Sequence, residues 1–225
     1  MNREAFLQRV GQAVRRGNVF QVPTREVAAD VGYVGAGNDR VARMAHEVAG
    51  VGGIPHRCEN EAAARVELAA LLRERGLRSA LCWEHPVLDE LGLASLLAAA
   101  GVEHLTFTKL AALPADERRE KMLAADVGIS SVDYAIAETG TLAVGARPGQ
   151  ERSASLLPPL YLTVIHRDQI LPDLFDLFAR LDAAGLANLP SNVTLITGPS
   201  KTGDIELQLT TGVHGPGEWH VFLVG

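Results

Sequence analysis

Apolar positions along the chain alternate between two spacings, and that alternation predicts the elements. From about Arg3 to Arg16, Phe6, Leu7, Val10 and Val14 recur at helical spacing and Gly17 follows as a stop. Val19 to Val34, which contains Pro23, reads as a connecting arm. A helix is predicted from Asn38 to Ala49 with Asn38 as its cap. Ile54 to Cys58 is then a strand, and Asn60 caps a long helix that runs to Arg75 and ends at Gly76. Arg78 to Trp83 reads as a buried strand, Pro86 to Ala100 as a helix stopped by Gly101, and Val102 to Phe107 as a strand. Pro114 to Leu123 is a helix whose charge run, Glu117 to Lys121, forms a solvated face.

After Asp126 the pattern becomes richer in strands. Val127 to Ile129 and Thr141 to Ala146 are predicted strands around the turn Ala137-Glu138-Thr139-Gly140. Tyr161 to His166, Val193 to Thr197 and His220 to Val224 are further strands, with a helix from Pro172 to Ala184. Strands alternating with helices predict an α/β fold, a three-layer α/β/α sandwich around a mainly parallel sheet that the later strands extend or make mixed. The organisation expected is an N-terminal helix and arm over residues 1–34 and an α/β domain over residues 35–225.

Composition narrows the function classes. The 225 residues are 47% apolar and 21% charged, enough for a substantial core and incompatible with wholesale disorder. A formal net charge of −6 argues against a dedicated nucleic-acid binder. No apolar run reaches the roughly 18–20 residues of a membrane span, and the first residues lack the apolar segment of a secretory signal. The expectation is a cytoplasmic protein. Cys58 and Cys82 fall in predicted strands as buried hydrophobes, too few for a disulfide framework, a structural zinc or an iron–sulfur cluster.

Candidate chemistry concentrates in two predicted loops. In Ala137-Glu138-Thr139-Gly140-Thr141 an acid and free backbone amides share a turn, and Gly140 lets a ligand approach the backbone. Glu138 can be a general base, a nucleophile or a hydrogen-bond acceptor, or it can simply cap backbone amides. The second stretch, Gly198-Pro199-Ser200-Lys201-Thr202-Gly203-Asp204-Ile205-Glu206, delivers two hydroxyls and an ammonium. It leads to a short helix over Ile205 to Leu209, with Asp204 as its cap, an arrangement suited to an anion or to a purely structural Asx turn. His214 follows in Gly212-Val213-His214-Gly215-Pro216, a titratable ring in a constrained loop. Arg147 and Arg152 flank a loop ending in Leu157-Pro158-Pro159 and can close over an anionic ligand or lie in solvent.

Standard signatures do not fit. Ser200 stands where a P-loop needs Gly before its Lys, and Gly198-x-Ser200-x-Thr202 lacks the second Gly of a nucleophile elbow. Gly35-Ala36-Gly37 is followed by Arg40 where a dinucleotide fingerprint needs its third Gly.

Taken as an ordered set, the Glu138 turn, Arg152 with Leu157-Pro158, the Lys201 loop and the His214 loop resemble the LutC/YkgG family of LUD-domain proteins. The resemblance is strongest from about Asp126 onward and covers Met1 to Val34 poorly. It implies a fold similar to ribose-5-phosphate isomerase and the CoA transferases. It also implies a non-redox subunit in a system that oxidises L-lactate to pyruvate, with iron–sulfur clusters on partner proteins and no cofactor on this chain. The implied binding residues, for a small carboxylate or phosphate or for those partners, are Thr139, Gly140, Thr141, Arg152, Ser200, Lys201, Thr202, Asp204 and His214. The alternative is a CoA-transferase-like or sugar-phosphate enzyme with Glu138 as nucleophile or base.

Overall fold

A computed structural model describes residues 3–17, 35–203 and 210–225. Contacts divide the chain into Met1–Val34 and Gly35–Gly225. The first unit is described over helix α1 (Arg3–Gly17).

The second unit begins with α2 (Arg40–Gly50), β1 (Ile54–Cys58), α3 (Glu61–Glu74) and β2 (Ser79–Cys82). It continues through α4 (Pro86–Glu90), α5 (Leu93–Ala99), β3 (Glu103–Thr106), α6 (Phe107–Ala111), α7 (Ala115–Leu123) and β4 (Val127–Ser130). Then follow β5 (Tyr134–Ile136), β6 (Thr141–Gly145), β7 (Leu160–His166), β8 (Ile170–Leu171) and α8 (Leu174–Ala184). Last come β9 (Val193–Ile196), β10 (Lys201–Thr202), β11 (Thr210–Thr211) and β12 (Glu218–Val224).

Six parallel strands in the order β1-β12-β7-β4-β2-β3 form the central sheet. Its inner strands are apolar on both faces, as a doubly covered parallel sheet requires: β4 is buried throughout, and β7 and β12 are buried except at one end residue. Successive residues of β12 point to opposite faces. Trp219 closes on Gly53 together with Val48 of α2, whereas the His220 ring joins a hydrogen-bonded array that ends on Glu67 of α3. The sheet is thus the middle layer of an α/β/α sandwich.

Four further strands form a separate sheet in the order β8-β5-β6-β9, where extension of the main sheet was expected. The chain leaves the central sheet after Ser130, and β5 pairs antiparallel with β6. The turn Ala137–Gly140 therefore joins β5 to β6, not β4 to β6. One face of this sheet, with Ala135, Leu142 and Val144, belongs to the main core. The other, with Ile136, Ala143 and Leu171, packs on Leu177 of α8.

Three local expectations are corrected. Asp39, not Asn38, caps α2: its carboxylate accepts the Ala42 N–H at 2.9 Å. The helix predicted from Pro86 to Ala100 is broken at Gly92, whose φ of 68° is left-handed, into α4 and α5. The strand predicted to end at Phe107 stops at Thr106, whose hydroxyl accepts the Lys109 N–H at 3.3 Å and starts α6. Asn60 caps α3 as predicted, accepting the Ala63 N–H at 3.0 Å, and α7 buries no residue, in keeping with its charge run. No helix among the described residues is long and apolar enough to cross a membrane.

Beneath the sheet, Glu67, His56, His220 and Glu218 form a hydrogen-bonded row with steps of 3.1, 2.9 and 2.6 Å, and Arg75 closes it on Glu218. Two neutral rings supply two protons for those three contacts, and filling the third would put a charge on a ring. Burial opposes that charge at His220 and holds its pKa below the ordinary 6.5, as burial also does at His85 and His104. Between the folded and unfolded pKa values the unfolded chain binds more protons, so this contribution to stability is complete above pH 6.5 and is lost as the pH falls below it. Denaturant titrations between about pH 7.5 and 5 should show stability falling with acid, with a shallower slope in His220→Gln. An unchanged slope would remove His220 from the acid response.

Candidate functional site

The C-terminal turn of α2 is where two of the sequence motifs meet. Gly140, at φ 64°, sits so close to this helix that a Cβ would lie 2.8 Å from both the Glu47 carbonyl carbon and the Val48 nitrogen. The turn before it is pinned by Ala137 N–H donating to Leu171 O at 2.9 Å and Glu138 N–H to Pro172 O at 3.0 Å. Gly198, at φ 89°, approaches the same helix end: a Cβ there would be 2.8 Å from Val51 O. The Lys201 ammonium donates to that same carbonyl, placing a cation at the negative end of the α2 dipole.

A row of hydroxyls connects the two segments. Thr139 contacts Thr141 at 2.7 Å, and Thr141 contacts Thr197 at 2.8 Å, one residue before Gly198. The antiparallel pairing of β6 with β9, Leu142 opposite Ile196, sets that contact.

Glu138 is half-buried. Its Oε1 accepts the Gly35 N–H at 3.1 Å, and its carbonyl accepts from Arg43 Nη2 at 3.3 Å. Arg43 also donates to Gly35 O at 3.1 Å and pairs with Glu47 at 2.8 Å. Glu138 and Lys201 thus have separate partners at the two ends of this small region.

A second group forms around Ser200. Its N–H donates to Pro216 O at 2.8 Å, its carbonyl accepts the Gly212 N–H at 3.0 Å, and Gly217 N–H donates to Pro159 O at 3.0 Å. The His214 loop is therefore tied to the Leu157-Pro158-Pro159 segment, with His214 itself exposed. Arg152 is exposed on a 3-10 turn, Arg152–Ser155, that rests on Gly128 of β4. Thr202 lies in β10, paired with Thr210. Asp204, with the helix expected over Ile205 to Leu209, lies outside the described residues.

The structure adds a third group that carries no local motif. Strand order reverses between β2 and β4, and the segments leaving their carboxyl ends are the place where open α/β sheets bind ligands. Glu84 accepts from Thr108 Oγ1 at 2.7 Å, and its carbonyl accepts from Gln150 Nε2 at 3.2 Å. Asp133 takes Arg147 Nη1 at 2.6 Å and the Gly145 N–H at 2.5 Å. His85 accepts the Val87 N–H at 3.2 Å, and the charges of Asp133 and Asp89 partly offset the burial that lowers its pKa. Glu151 is anchored by Trp83, whose indole N–H donates to its carbonyl at 3.0 Å. Of this set the motif analysis singles out only Arg147. The available signal was position, directly after two predicted strands.

Both cysteines are buried as free thiols. Burial, then the nearby Glu67 charge, pushes Cys58 up to about 11, and burial pushes Cys82 higher still, so both stay protonated at neutral pH. Among the described residues no cluster of three or more His, Cys, Asp or Glu is arranged to hold a metal.

Known proteins place these features in a family. The LUD domain family profile matches residues 41–224. A lactate utilization protein C from Halalkalibacterium halodurans is 36% identical over 148 residues, 65% of this chain and 62% of its own length, just under two thirds. A protein of the same name from an Exiguobacterium species is 32% identical over 221 residues, 96% of this chain and 92% of its own. The crystal structure of a DUF162 family protein from Deinococcus radiodurans shares the fold, with a TM-score of 0.56 at 19% identity over 83% of this chain and 96% of that one. With its profile match spanning almost the whole second unit, the chain belongs to the LUD-domain family.

Proposed function

We propose that the chain is a non-redox component of an L-lactate utilization system. The observation that carries this is the alignment of a lactate utilization protein C with 96% of the chain. Oxidation of L-lactate to pyruvate releases two electrons and two protons, and iron–sulfur partner proteins would take the electrons. Two protonated, buried thiols support assigning that transfer to partners. The strand-end loops at the α2 terminus and around Ser200 would meet those partners or a small anion. They combine exposed polar side chains with backbone held in place by glycine and hydrogen bonds.

Deleting the gene in the source organism should abolish growth on L-lactate and spare growth on pyruvate, with recovery on complementation. Native co-purification should bring down iron-containing partners in fixed ratio. Undiminished growth of the deletion strain on L-lactate would overturn the role, and an iron-free, solitary protein would overturn the stable assembly.

A further inference from the structure

A cavity of about 710 Å³ opens where three parallel strands of the central sheet end. β1, β12 and β7 are neighbours there, with Cys58, Val224 and His166 in register at their carboxyl ends. Arg57 is the penultimate residue of β1, Arg167 directly follows β7, and Arg40 opens α2; all three line the cavity. Val41 and Ile170 supply the only apolar side chains among its described lining residues. The carboxyl ends of parallel strands are where open α/β sheets hold ligands. This end of α2 is the one opposite the Lys201 contact, so the two places are separate.

The three guanidiniums are barely used. Arg57 Nη2 stands 3.8 Å from Asp39 Oδ2, beyond hydrogen-bond distance, and both side chains are 59% exposed. Arg40 makes one long hydrogen bond, from Nη1 to Ile170 O at 3.4 Å. The Arg167 guanidinium has no hydrogen bond or ion pair among the described residues, and its stem runs beside Gly225. The acidic side chains of the cavity already have partners. Asp39 Oδ1 caps α2 by accepting the Ala42 N–H at 2.9 Å, and Asp168 Oδ2 faces His166 Nδ1 at 3.3 Å. Because Asp39 occupies the helix N-terminus, the demand for an anion comes from the arginines. Like charges gathered from three elements repel one another, and an anion between them relieves that repulsion.

The arrangement selects the kind of anion. A planar carboxylate is satisfied by the fork of one arginine. Three forks approaching from separate elements suit a tetrahedral group that carries charge on several oxygens, as a phosphate does. An isolated phosphate leaves much of the cavity empty, and the polar Asn38 and Asp168 line the space around it.

We propose that this cavity binds a phosphate monoester of a small hydrophilic molecule, with its phosphate oxygens on Arg40, Arg57 and Arg167. Hydroxyls on the remainder of the ligand donate to Asp168 and Asn38.

Calorimetric titration of the full chain at constant ionic strength tests this, with glycerol 3-phosphate, inorganic phosphate, sulfate and citrate as probes. Glycerol 3-phosphate should bind saturably and at least about tenfold more tightly than citrate, which has the charge without the tetrahedral group. Inorganic phosphate and sulfate, which lack the remainder, should bind more weakly than the ester. Arg57→Gln and Arg167→Gln should each weaken the ester by about tenfold or more, and Arg57→Lys, which keeps the charge and loses the fork, by less. Arg119→Gln removes the same charge from the exposed face of α7 and should leave binding unchanged. The replaced arginines are exposed and hold little, so the free variants should melt no lower than the parent chain.

No saturable binding of glycerol 3-phosphate, or unchanged binding in Arg57→Gln and Arg167→Gln, would overturn the site. Equal loss in Arg119→Gln would reduce it to the general field of the protein. Equal binding of citrate would overturn the phosphate assignment, and equal binding of inorganic phosphate or sulfate would overturn the ester.

Discussion

Gly128→Ala should cost roughly 3–4 kcal/mol and lower the melting temperature by about 10 °C, measured by circular dichroism. Gly128 lies in the centre of β4, buried, opposite Leu81 on one side and Tyr161 on the other. A Cβ there would overlap the carbonyl oxygen of Ala154, which is backbone and cannot rotate away, and would touch Pro158 at 3.4 Å. Either the 3-10 turn lifts off the strand or the strand bends out of a six-stranded sheet. The first outcome also displaces Arg152 and the Leu157-Pro158-Pro159 segment that holds the His214 loop. A loss below about 1 kcal/mol would mean that the turn does not rest on β4 as described.

Trp219→Ala should be comparably severe, at roughly 3–5 kcal/mol. The indole is fully buried and fits against Gly53 so closely that a Cβ on that glycine would lie 2.6 Å from Cε3. Its N–H donates to Thr163 Oγ1 at 3.2 Å, so truncation leaves both a cavity and a buried hydroxyl short of a donor. Trp219→Phe keeps most of the volume and should lose only about 1–2 kcal/mol. The distinctive readout is local. Trp219 and Val48 both close on Gly53, and the Val48 backbone supports Gly140, so amide exchange should accelerate at the end of α2 and through the two loops seated there. Uniform loss of protection without that local excess would show that α2 does not organise these loops.

The legible parts of the fold are those with enough residues to declare a period. β7 and β12 are seven-residue strands with five apolar residues each and strong strand formers, and α3 announces itself with a cap and a terminating glycine. β5 and β8, at three and two residues, are shorter than any periodic signal, so the second sheet stays hidden. Asn38 and Asp39 are adjacent residues of equal capping ability, and only the geometry of Ala42 decides between them. The candidate site divides the same way. Gly140 and Gly198 mark turns that need left-handed backbone, and the sequence displays them. The partners of those loops, Gly35 for Glu138 and Val51 for Lys201, stand 103 and 150 residues away, beyond any local pattern. Asp133, Glu84 and Glu151 form no motif at all and become a group only when two strand ends come together.

The strand order has a consequence for how the protein is made. β12, the last described strand along the chain, inserts between β1 and β7, and β1 has no other neighbour in the central sheet. A ribosome must therefore deliver nearly all of the second unit before β1 can pair at all. Until then β7 offers an open, apolar edge to whatever lies nearby. Pairing across more than 160 residues is slow to close, so the nascent chain has a long window in which chaperones or neighbouring chains can reach it. Translation stalled before Glu218 would leave an aggregation-prone intermediate rather than a smaller folded protein.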